Sequence, residues 1–234
     1  MKLSIIIPLY NEKNTINKLL KKIKKVDLGK IKKEIIIVDD FSTDGSREIL
    51  RRLKGDYVRL FQNKNKGKGA ALKTGIEKAT GEFIIFQDAD LEYDPQDYKK
   101  LLNPILKNEA SIVFGSRFEG KRYIIWGKNK NIHTPHWMGN KGLTLAFNLL
   151  YGTKLTDVEP CYKLFTSKVL KSIKVSSDRF EYDIELMCKL VKKGNKIKQL
   201  PIKYNPRSFE EGKKINWKDG LVALKVMLKY RFIN

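Results

Sequence analysis

Three carboxylates stand close together after one short apolar run of the sequence. Asp88, Asp90 and Glu92 follow the run at 82–87, which is typical of a buried strand. In an extended segment every second side chain lies on the same face, so two or three of these carboxylates could reach one cation. Hard cations such as Mg²⁺ and Mn²⁺ prefer oxygen ligands and usually keep waters and phosphate oxygens as further ligands. The spacing therefore predicts a divalent-cation site.

A second acidic group follows another apolar run, at 34–38. Asp39 and Asp40 close this run, and Asp44 comes four residues later in the sequence DDFSTDG. Parallel sheets bind ligands beyond the carboxyl ends of their strands, which is where both acidic groups would lie. The alternative is that Asp40, Asp44 and Asp90 only cap helices and turns.

The segment 65–71, with the sequence NKGKGAA, opens a predicted helix. Glycines and lysines at a helix N-terminus suit an anion. The segment is not a GxxxxGK[ST] loop, and it does not stand after the first strand as a dinucleotide-binding GxGxxG does. A flexible loop that simply starts a helix is the competing interpretation.

Short apolar runs alternate with helical patterns along most of the chain. Strands are predicted at 3–8, 34–38, 57–61, 82–87, 111–115, 162–165 and 196–204, and helices at 14–26, 44–53, 68–79, 95–107, 138–151, 182–193 and 217–232. Strands joined by single helices imply right-handed crossovers. We expect an α/β fold with one doubly wound, mostly parallel sheet, helices on both faces and a C-terminal helical extension. Residues 1–234 are expected to form a single domain.

The segment 118–140 interrupts this alternation. It contains two tryptophans and two histidines among lysines and asparagines. Connections of this length are usually functional or disordered. We expect a long loop or lid that leads into the helix at 138–151.

The composition restricts the classes of partner. The 234 residues carry 48 Lys and Arg against 26 Asp and Glu, a net charge of +22, which favours an anionic partner or reflects a compositional bias. Nucleic acid is disfavoured because no binding motif or aromatic-stacking pattern is present. Cys161 and Cys188 have no zinc or disulfide spacing. Since no apolar run approaches the ~20 residues of a membrane span, we expect an intracellular, soluble or peripherally membrane-bound protein.

An ordered set of motifs extends over almost the whole chain. The set comprises PLYNE (8–12), VDDFSTDG (38–45), NKGKGAALKTG (65–75), FQDADLE (86–92), FGSRF (114–118), TDVEPCYKLF (156–165), RFEYDIE (179–185) and YNPRSFEEGKKI (204–215). Together these motifs resemble the inverting family 2 glycosyltransferases of the dolichyl-phosphate mannose synthase and dolichyl-phosphate glucose synthase type, which have a GT-A fold.

The resemblance implies roles for individual residues. The nucleotide-sugar would be bound by the half 1–117, through Pro8, Tyr10, Glu12, Asp39, Asp40, Lys68 and Asp88, with Asp40 and Lys68 near the ribose and the sugar. Asp88, Asp90 and Glu92 would hold Mg²⁺ or Mn²⁺ on the diphosphate. The acceptor phosphate would be clamped by the half 118–234, through Arg117 at its border, Arg207 and Lys213 or Lys214. The alternative for Arg117 and Arg207 is a solvated or structural ion pair. Asp90, Arg117 and Arg207 would be the catalytic residues, and Asp157, Glu181 and Asp183 lie in matching motifs.

The resemblance implies metal-dependent transfer of a hexose, with inversion, from a GDP- or UDP-linked donor to a polyprenyl phosphate at the cytoplasmic face of the membrane. A hydroxyl group of a glycan or protein is the alternative acceptor, and it would need a base such as Asp157 or Asp183. The absence of a QxxRW sequence disfavours a polysaccharide synthase. Transmembrane helices, which several such enzymes carry after the catalytic domain, are not found here, so peripheral contact with an anionic membrane or with a membrane protein is expected.

The helix at 217–232 has two apolar sectors with lysines between them. One sector comprises Trp217, Leu221, Leu224, Leu228 and Phe232, and the other comprises Val222, Ala223, Val226, Met227 and Tyr230. We expect the first sector to pack on the domain. The second sector, together with Lys218, Lys225 and Lys229, is expected to rest on an anionic bilayer. The alternative is a helix that is buried on both sides, with its lysines extending to water.

Overall fold

The computed structural model describes residues 1–119, 134–206 and 217–233. Their strands form one seven-stranded sheet in the order β3-β2-β1-β4-β6-β5-β7. The strands are β1 (Lys2–Leu9), β2 (Lys32–Asp39), β3 (Tyr57–Phe61), β4 (Phe83–Phe86), β5 (Ile112–Ser116), β6 (Lys163–Thr166) and β7 (Lys198–Pro201). Strand β6 pairs antiparallel with β4 and β5, and the other pairs are parallel. The predicted mostly parallel sheet is therefore confirmed.

The helices lie on both faces of this sheet. They are α1 (Ile16–Lys25), α2 (Ser46–Arg52), α3 (Lys68–Lys78), α4 (Tyr98–Leu106), α5 (Thr134–Tyr151), α6 (Ser167–Lys171), α7 (Glu181–Lys192) and α8 (Trp217–Phe232). The short helix α6 is not predicted by the sequence pattern. Helix α5 begins at Thr134, inside the expected 118–140 loop, and the 120–133 part of that loop lies outside the described residues.

The central strands contain continuous apolar runs, 5–7 in β1 and 83–86 in β4, because both of their faces are covered. In β1, Ile5 and Ile7 pack in one cluster with α1 and α4, whereas Ile6 packs in a second cluster with α3, α5, α7 and α8. Alternate side chains of a strand point to opposite faces. A continuous apolar run is thus what a central strand of a doubly covered sheet requires.

Helix α8 packs with the opposite face from the one that we expected. Met227 is fully buried in the second cluster, and Ala223 and Tyr230 are buried beside it, whereas Leu221 and Phe232 are exposed. The Oη of Tyr151 in α5 donates to the carbonyl of Met227 at 2.8 Å. The prediction was wrong because both sectors of the helix are apolar, and the periodicity alone does not select the one that fits between α5 and α7. No helix among the described residues has the length and hydropathy of a bilayer span.

Candidate active site

The loops that follow β1 and β2 are tied into one wall at the carboxyl edge of the sheet. The backbone N–H of Asn11 donates to Ser42 Oγ at 3.0 Å, and Asn11 Oδ1 accepts from the backbone N–H of Thr43 at 2.8 Å. Glu12 also belongs to this wall, since its backbone N–H donates to Ser46 Oγ at 2.9 Å. Pro8 is half-buried at the end of β1, and Tyr10 is exposed beside it. The structure thus brings three of the predicted nucleoside-binding residues together.

Asp39 is buried at the base of this wall. Its Oδ1 accepts from the backbone N–H of Ser42 at 3.2 Å, and its Oδ2 lies 3.3 Å from Arg47 Nε. Within the described residues neither Asp39 Oδ2 nor Arg47 Nε has a hydrogen-bond partner. The Arg47 guanidinium also lies 5.4 Å and 5.3 Å from the ring centres of Phe41 and Phe61. Asp39 Oδ2 is thus paired with a cation but accepts no hydrogen bond among the described residues, which leaves it an acceptor site that suits a ligand.

Asp40, the next residue, caps the glycine-rich segment. Its Oδ1 accepts from the N–H of Lys66 at 2.8 Å and its Oδ2 from the N–H of Gly67 at 2.7 Å. Burial raises the pKa of Asp40, and these two hydrogen bonds oppose that rise only in part. The anion that the segment was expected to bind is therefore Asp40 itself, and the capping alternative describes this residue. The expected contact of Asp40 with the ribose stays a prediction.

The glycines of the same segment allow another part of the chain to approach closely. A Cβ on Gly67 would lie 2.6 Å from the carbonyl oxygen of Asp178, and one on Gly69 would lie 2.5 Å from Tyr182 Cβ. Gly67 also has φ of +104°, a conformation that glycine adopts most readily. The N–H of Ala70 donates to the Asp178 carbonyl at 2.8 Å. Close packing against the start of α7 thus explains why residues 67 and 69 are glycines.

Two lysines and two aspartates form a cluster beside the end of β4. Lys68 Nζ lies 2.8 Å from Asp88 Oδ1 and 3.8 Å from Asp183 Oδ2. Lys163, which is buried, lies 2.8 Å from Asp183 Oδ1. Burial by itself would lower the pKa of Lys68, but the two carboxylates raise it well above its ordinary value. Burial would raise the pKa of Asp88, and Lys68 and Lys163 bring it below its ordinary value, so both groups are charged at neutral pH.

The carboxylates after β4 lie on a turn and not on an extended segment. The turn includes Ala89 and Asp90, and Leu91 has φ of +66°, in the left-handed region. The argument that Asp88, Asp90 and Glu92 share one face was therefore wrong, because it assumes a strand. Among the described residues no three acidic, histidine or cysteine side chains stand close enough to hold a metal ion.

The donor set nevertheless fits a divalent cation. Asp88 and Asp90 offer hard oxygens, and both are half-buried at the carboxyl edge of the sheet. Mg²⁺ typically takes only one or two protein carboxylates and completes its shell with waters and substrate phosphates. A three-ligand protein cage is therefore not needed. The roles of Asp88, Asp90 and Glu92 as metal ligands stay predictions.

Arg117 forms an ion pair with Asp157. Its Nε donates to Asp157 Oδ2 and its Nη2 to Asp157 Oδ1, each at 2.8 Å, and its backbone N–H donates to Oδ2 at 3.0 Å. Burial would lower the pKa of Arg117, but the buried Asp157 holds it well above its ordinary value. The guanidinium also lies 5.6 Å from the ring centre of Tyr204. The side chain that was expected to clamp a phosphate is thus already oriented by a carboxylate.

The sequence pattern did not single out Glu159 or Lys163. Burial raises the pKa of Glu159 to about 7, and the positive charge of Arg117 opposes this rise in part. Both residues lie in the motif TDVEPCYKLF, so the motif was the available signal, but the pairing of Lys163 with Asp183 depends on α7 packing beside it. Glu181 and Asp183 lie in the first turn of α7. Arg207, Lys213 and Lys214 lie outside the described residues.

Comparison with known families identifies the family of this chain. The family model described as glycosyl transferase family 2 matches residues 4–174, which include the ends of β1, β2, β4 and β5. The chain belongs to glycosyl transferase family 2. It is accordingly a glycosyltransferase, and the donor-side residues described above lie within the matched region.

Two curated family 2 relatives match most of the chain. It is 29% identical to dolichol-phosphate mannosyltransferase of Pyrococcus furiosus over 218 residues, which are 91% of this chain and 59% of that protein. It is 28% identical to UDP-N-acetylglucosamine–dolichyl-phosphate N-acetylglucosaminyltransferase of Methanococcus voltae, over 89% of this chain and 88% of that protein. The chain thus spans little more than half of the first relative and most of the second.

A solved structure shows that the fold is shared. The structure of glucosyl-3-phosphoglycerate synthase from Mycobacterium tuberculosis, in complex with Mn²⁺, UDP and phosphoglyceric acid, superposes with a TM-score of 0.74 at 17% identity. The match covers 100% of this chain and 79% of that one. The expected GT-A fold is therefore confirmed.

Proposed function

We propose that this family 2 enzyme transfers a hexose, with inversion, from a GDP- or UDP-linked donor to a polyprenyl phosphate of the dolichyl type. The observation that carries the proposal is the match to two relatives named for dolichyl-phosphate substrates, over 91% and 89% of this chain. The paired cationic and acidic side chains at the carboxyl edge of the sheet are the second support, since both substrates are phosphorylated. We assign the donor to residues 1–117 and the acceptor mainly to 118–234, within one domain.

On the donor side, the wall formed by Pro8, Tyr10 and Glu12 receives the nucleoside, and the buried Oδ2 of Asp39 accepts a hydrogen bond from it. Of the three predicted ligands, Asp88 and Asp90 would hold a divalent cation, Mg²⁺ or Mn²⁺, and Glu92 lies two residues further along the same turn. When bound, such a cation would neutralise the charge that develops on the departing diphosphate. Lys68, fixed by Asp88 and Asp183, contributes a second positive charge beside this group.

On the acceptor side, Arg117 holds the acceptor phosphate together with Arg207 and Lys213 or Lys214. The ion pair with Asp157 fixes the guanidinium plane, so that Arg117 loses little side-chain freedom when the phosphate binds. A phosphate is already ionised at neutral pH and attacks without a general base. The attacking oxygen approaches the sugar from the side opposite the diphosphate, which inverts the anomeric carbon.

Glu159 supports a second candidate, transfer to a hydroxyl group of a glycan or protein. A hydroxyl must lose its proton, and a base is most effective when its pKa lies near the working pH. Asp157 and Asp183, the bases expected for this case, are held in ion pairs with Arg117 and with the two lysines. Glu159, whose pKa burial raises to about 7, is the better base for such an acceptor.

The lipid acceptor places the enzyme at a membrane. We propose peripheral contact at the cytoplasmic face, either with anionic lipid or with a membrane protein partner. The net charge of +22 supports attraction to an anionic surface.

The purified protein should be incubated with radiolabelled GDP-mannose, UDP-glucose or UDP-N-acetylglucosamine, Mn²⁺ and polyprenyl phosphate. We expect the label of one donor to become extractable into organic solvent. Transfer of label only to a glycan or protein would contradict the lipid acceptor and favour the hydroxyl alternative.

A further inference from the structure

Helix α5 carries an apolar stripe on its outer side. Met138, Leu145 and Leu149 are 61%, 60% and 77% exposed, and Gly142 lies between them on the same stripe, at helical spacing. Phe147, on the opposite side of the helix, is fully buried in the second cluster. Soluble surfaces rarely leave such a row of large apolar side chains without a partner.

Helix α8 extends this surface. Its inner residues Ala223 and Met227 pack in the same cluster as Phe147 of α5, and Tyr151 of α5 donates to the Met227 carbonyl. Both helices therefore lie in the layer on this face of the sheet, and each leaves apolar side chains exposed. On α8 the exposed apolar side chains are Leu221, Val222, Leu224, Leu228 and Phe232. We call the exposed apolar residues of α5 and α8 the outer apolar surface.

Positive charges accompany this surface. The ranges 137–151 and 220–233 contain no acidic residue, and Lys225, Lys229 and Arg231 are exposed on α8. If two copies met through this surface, these like charges would be brought together. An anionic lipid surface complements both the apolar side chains and the basic charge.

The N-terminal half of α5 lies beside the acceptor end of the site. Lys141 Nζ donates to the carbonyl of Thr156 at 3.3 Å, and lies 4.9 Å from the ring centre of Phe118. The side-chain amide of Asn140, with its oxygen toward Arg117, accepts from Arg117 Nη2 at 2.6 Å. The apolar stripe on the outer side of α5 therefore starts, at Met138, in the same end of the helix whose inner side contacts the Arg117–Asp157 pair.

We propose that the outer apolar surface docks the enzyme on an anionic bilayer, with α5 and α8 in the interface plane and Arg117 at the level of the lipid phosphates. The identity of the acceptor rests on the proposed function. The docking surface adds the path by which that acceptor passes from the bilayer to Arg117. A polyprenyl phosphate embedded in the bilayer presents its phosphate at the start of the stripe, so its chain stays in the lipid while the phosphate reaches Arg117.

The test uses the variant Leu145→Glu/Leu149→Glu, with Leu106→Glu as its matched control. Leu106 is also an exposed leucine, on α4, which packs against the other face of the sheet. Thermal unfolding should show that both variants stay folded, because the replaced side chains are exposed. We expect the wild type and the control to sediment with vesicles of phosphatidylcholine and phosphatidylglycerol. The affinity of the double variant for these vesicles should fall by at least about tenfold, because charges replace apolar side chains at the interface.

A second readout separates this inference from the proposed function. With a short-chain, water-soluble polyprenyl phosphate, the double variant should transfer sugar as fast as the wild type, and with long-chain acceptor in vesicles it should be slower. A wild type that transfers sugar to the short-chain acceptor but does not bind anionic vesicles would overturn the docking surface and leave the proposed function standing. Vesicle binding without transfer to either acceptor would contradict the proposed function.

The oligomeric state completes the test. If the wild type is a dimer in solution and Leu145→Glu/Leu149→Glu makes it a monomer, a second copy covers the surface and the docking proposal fails. Equal vesicle binding by the wild type and the double variant would also overturn it.

Discussion

Asp39 and Asp40 are adjacent residues of the same type, yet their surroundings give them different tasks. Both oxygens of Asp40 accept backbone hydrogen bonds from Lys66 and Gly67. Asp39 keeps one buried oxygen without a hydrogen bond among the described residues. A capping carboxylate holds a loop in place, whereas a carboxylate with a remaining acceptor site can bind a ligand. The same distinction applies to Arg117. Its Nε and Nη2 donate to Asp157, so its role depends on whether the guanidinium can also donate to a phosphate.

The Arg117–Asp157 pair gives the first prediction at this scale. Arg117→Ala should lower the free energy of unfolding by about 3–5 kcal/mol, because it leaves the buried Asp157 carboxylate without its cation. Urea unfolding measures this change. Arg117→Ala/Asp157→Ala should recover part of the loss, since no charge is then buried alone.

Acceptor kinetics then test the phosphate clamp at Arg117. Arg117→Lys keeps the charge but loses the planar, two-point geometry, so we expect a higher acceptor KM or a lower kcat with donor binding unchanged. If instead donor affinity falls as much as acceptor affinity, the arginine belongs to the nucleotide site. Arg207→Ala provides the comparison for the second proposed clamp residue.

The metal assignment gives the second prediction. Asp90→Asn should abolish transfer and leave the thermal unfolding temperature nearly unchanged, because Asp90 is half-buried on a turn and the amide keeps the same shape. EDTA should have the same effect on the wild type, and added Mn²⁺ should restore activity to the wild type only. Full activity in EDTA would rule out a metal-dependent reaction.

At the scale of elements, α7 supports the glycine-rich segment through one buried carboxylate. Glu185 accepts from the backbone N–H groups of Ser176 and Ser177, each at 2.8 Å, and pairs with Lys189 at 2.6 Å. These bonds hold the stretch before α7, which ends at Asp178 against Gly67. The donor side of the site therefore depends on a helix that contributes to it mainly by packing.

Glu185 gives the third prediction. Burial by itself would raise its pKa, but Lys189 and the two serines lower it to about 2. Because the folded-state pKa is depressed from 4.5, the stabilisation is complete above pH 4.5 and is lost as the pH falls toward 2. Glu185→Gln should reduce the free energy of unfolding by about 1–3 kcal/mol at pH 7, and progressively less below pH 4.5.

Urea unfolding across this pH range measures the effect, with the exposed Glu77→Gln as control. The control should follow the wild type at every pH. A constant difference between Glu185→Gln and the wild type from pH 7 down to pH 3 would contradict the assigned linkage.

At the scale of the whole molecule, the sheet separates two layers with different outer surfaces. The layer of α3, α5, α7 and α8 leaves large apolar side chains exposed on α5 and α8. The loops after β1 and β2, to which we assign the donor, lie at the carboxyl edge of the same sheet. A membrane on this side would lie next to the acceptor end of the site and leave the loops after β1 and β2 accessible to the donor.

The fourth prediction compares two neighbouring residues of α8. Met227→Glu should unfold the protein or lower its thermal unfolding temperature severely, because it buries a carboxylate in the second cluster. Leu228→Glu should leave that temperature nearly unchanged, because the side chain is exposed, and should weaken binding to anionic vesicles. The reverse pattern of stabilities would restore the orientation of α8 that the sequence had suggested.

Several features of this protein were determined by the sequence alone. Continuous apolar runs such as the one in β1 marked central strands, because a strand covered on both faces needs apolar residues at every position. Acidic residues directly after such strands predicted a ligand-binding edge, which stays a prediction, and the ordered motifs indicated the family. All these signals are local, so each can be recognised before the chain is folded.

The tertiary structure alone decided which groups meet. Asp40 caps a loop 26 residues further along, Gly69 makes room for Tyr182, and Arg117 pairs with a carboxylate 40 residues away. It also decided which apolar sector of α8 faces the core. Contacts of this kind arise only when distant segments pack together, and periodicity within one helix or strand carries no information about the neighbour that will cover it.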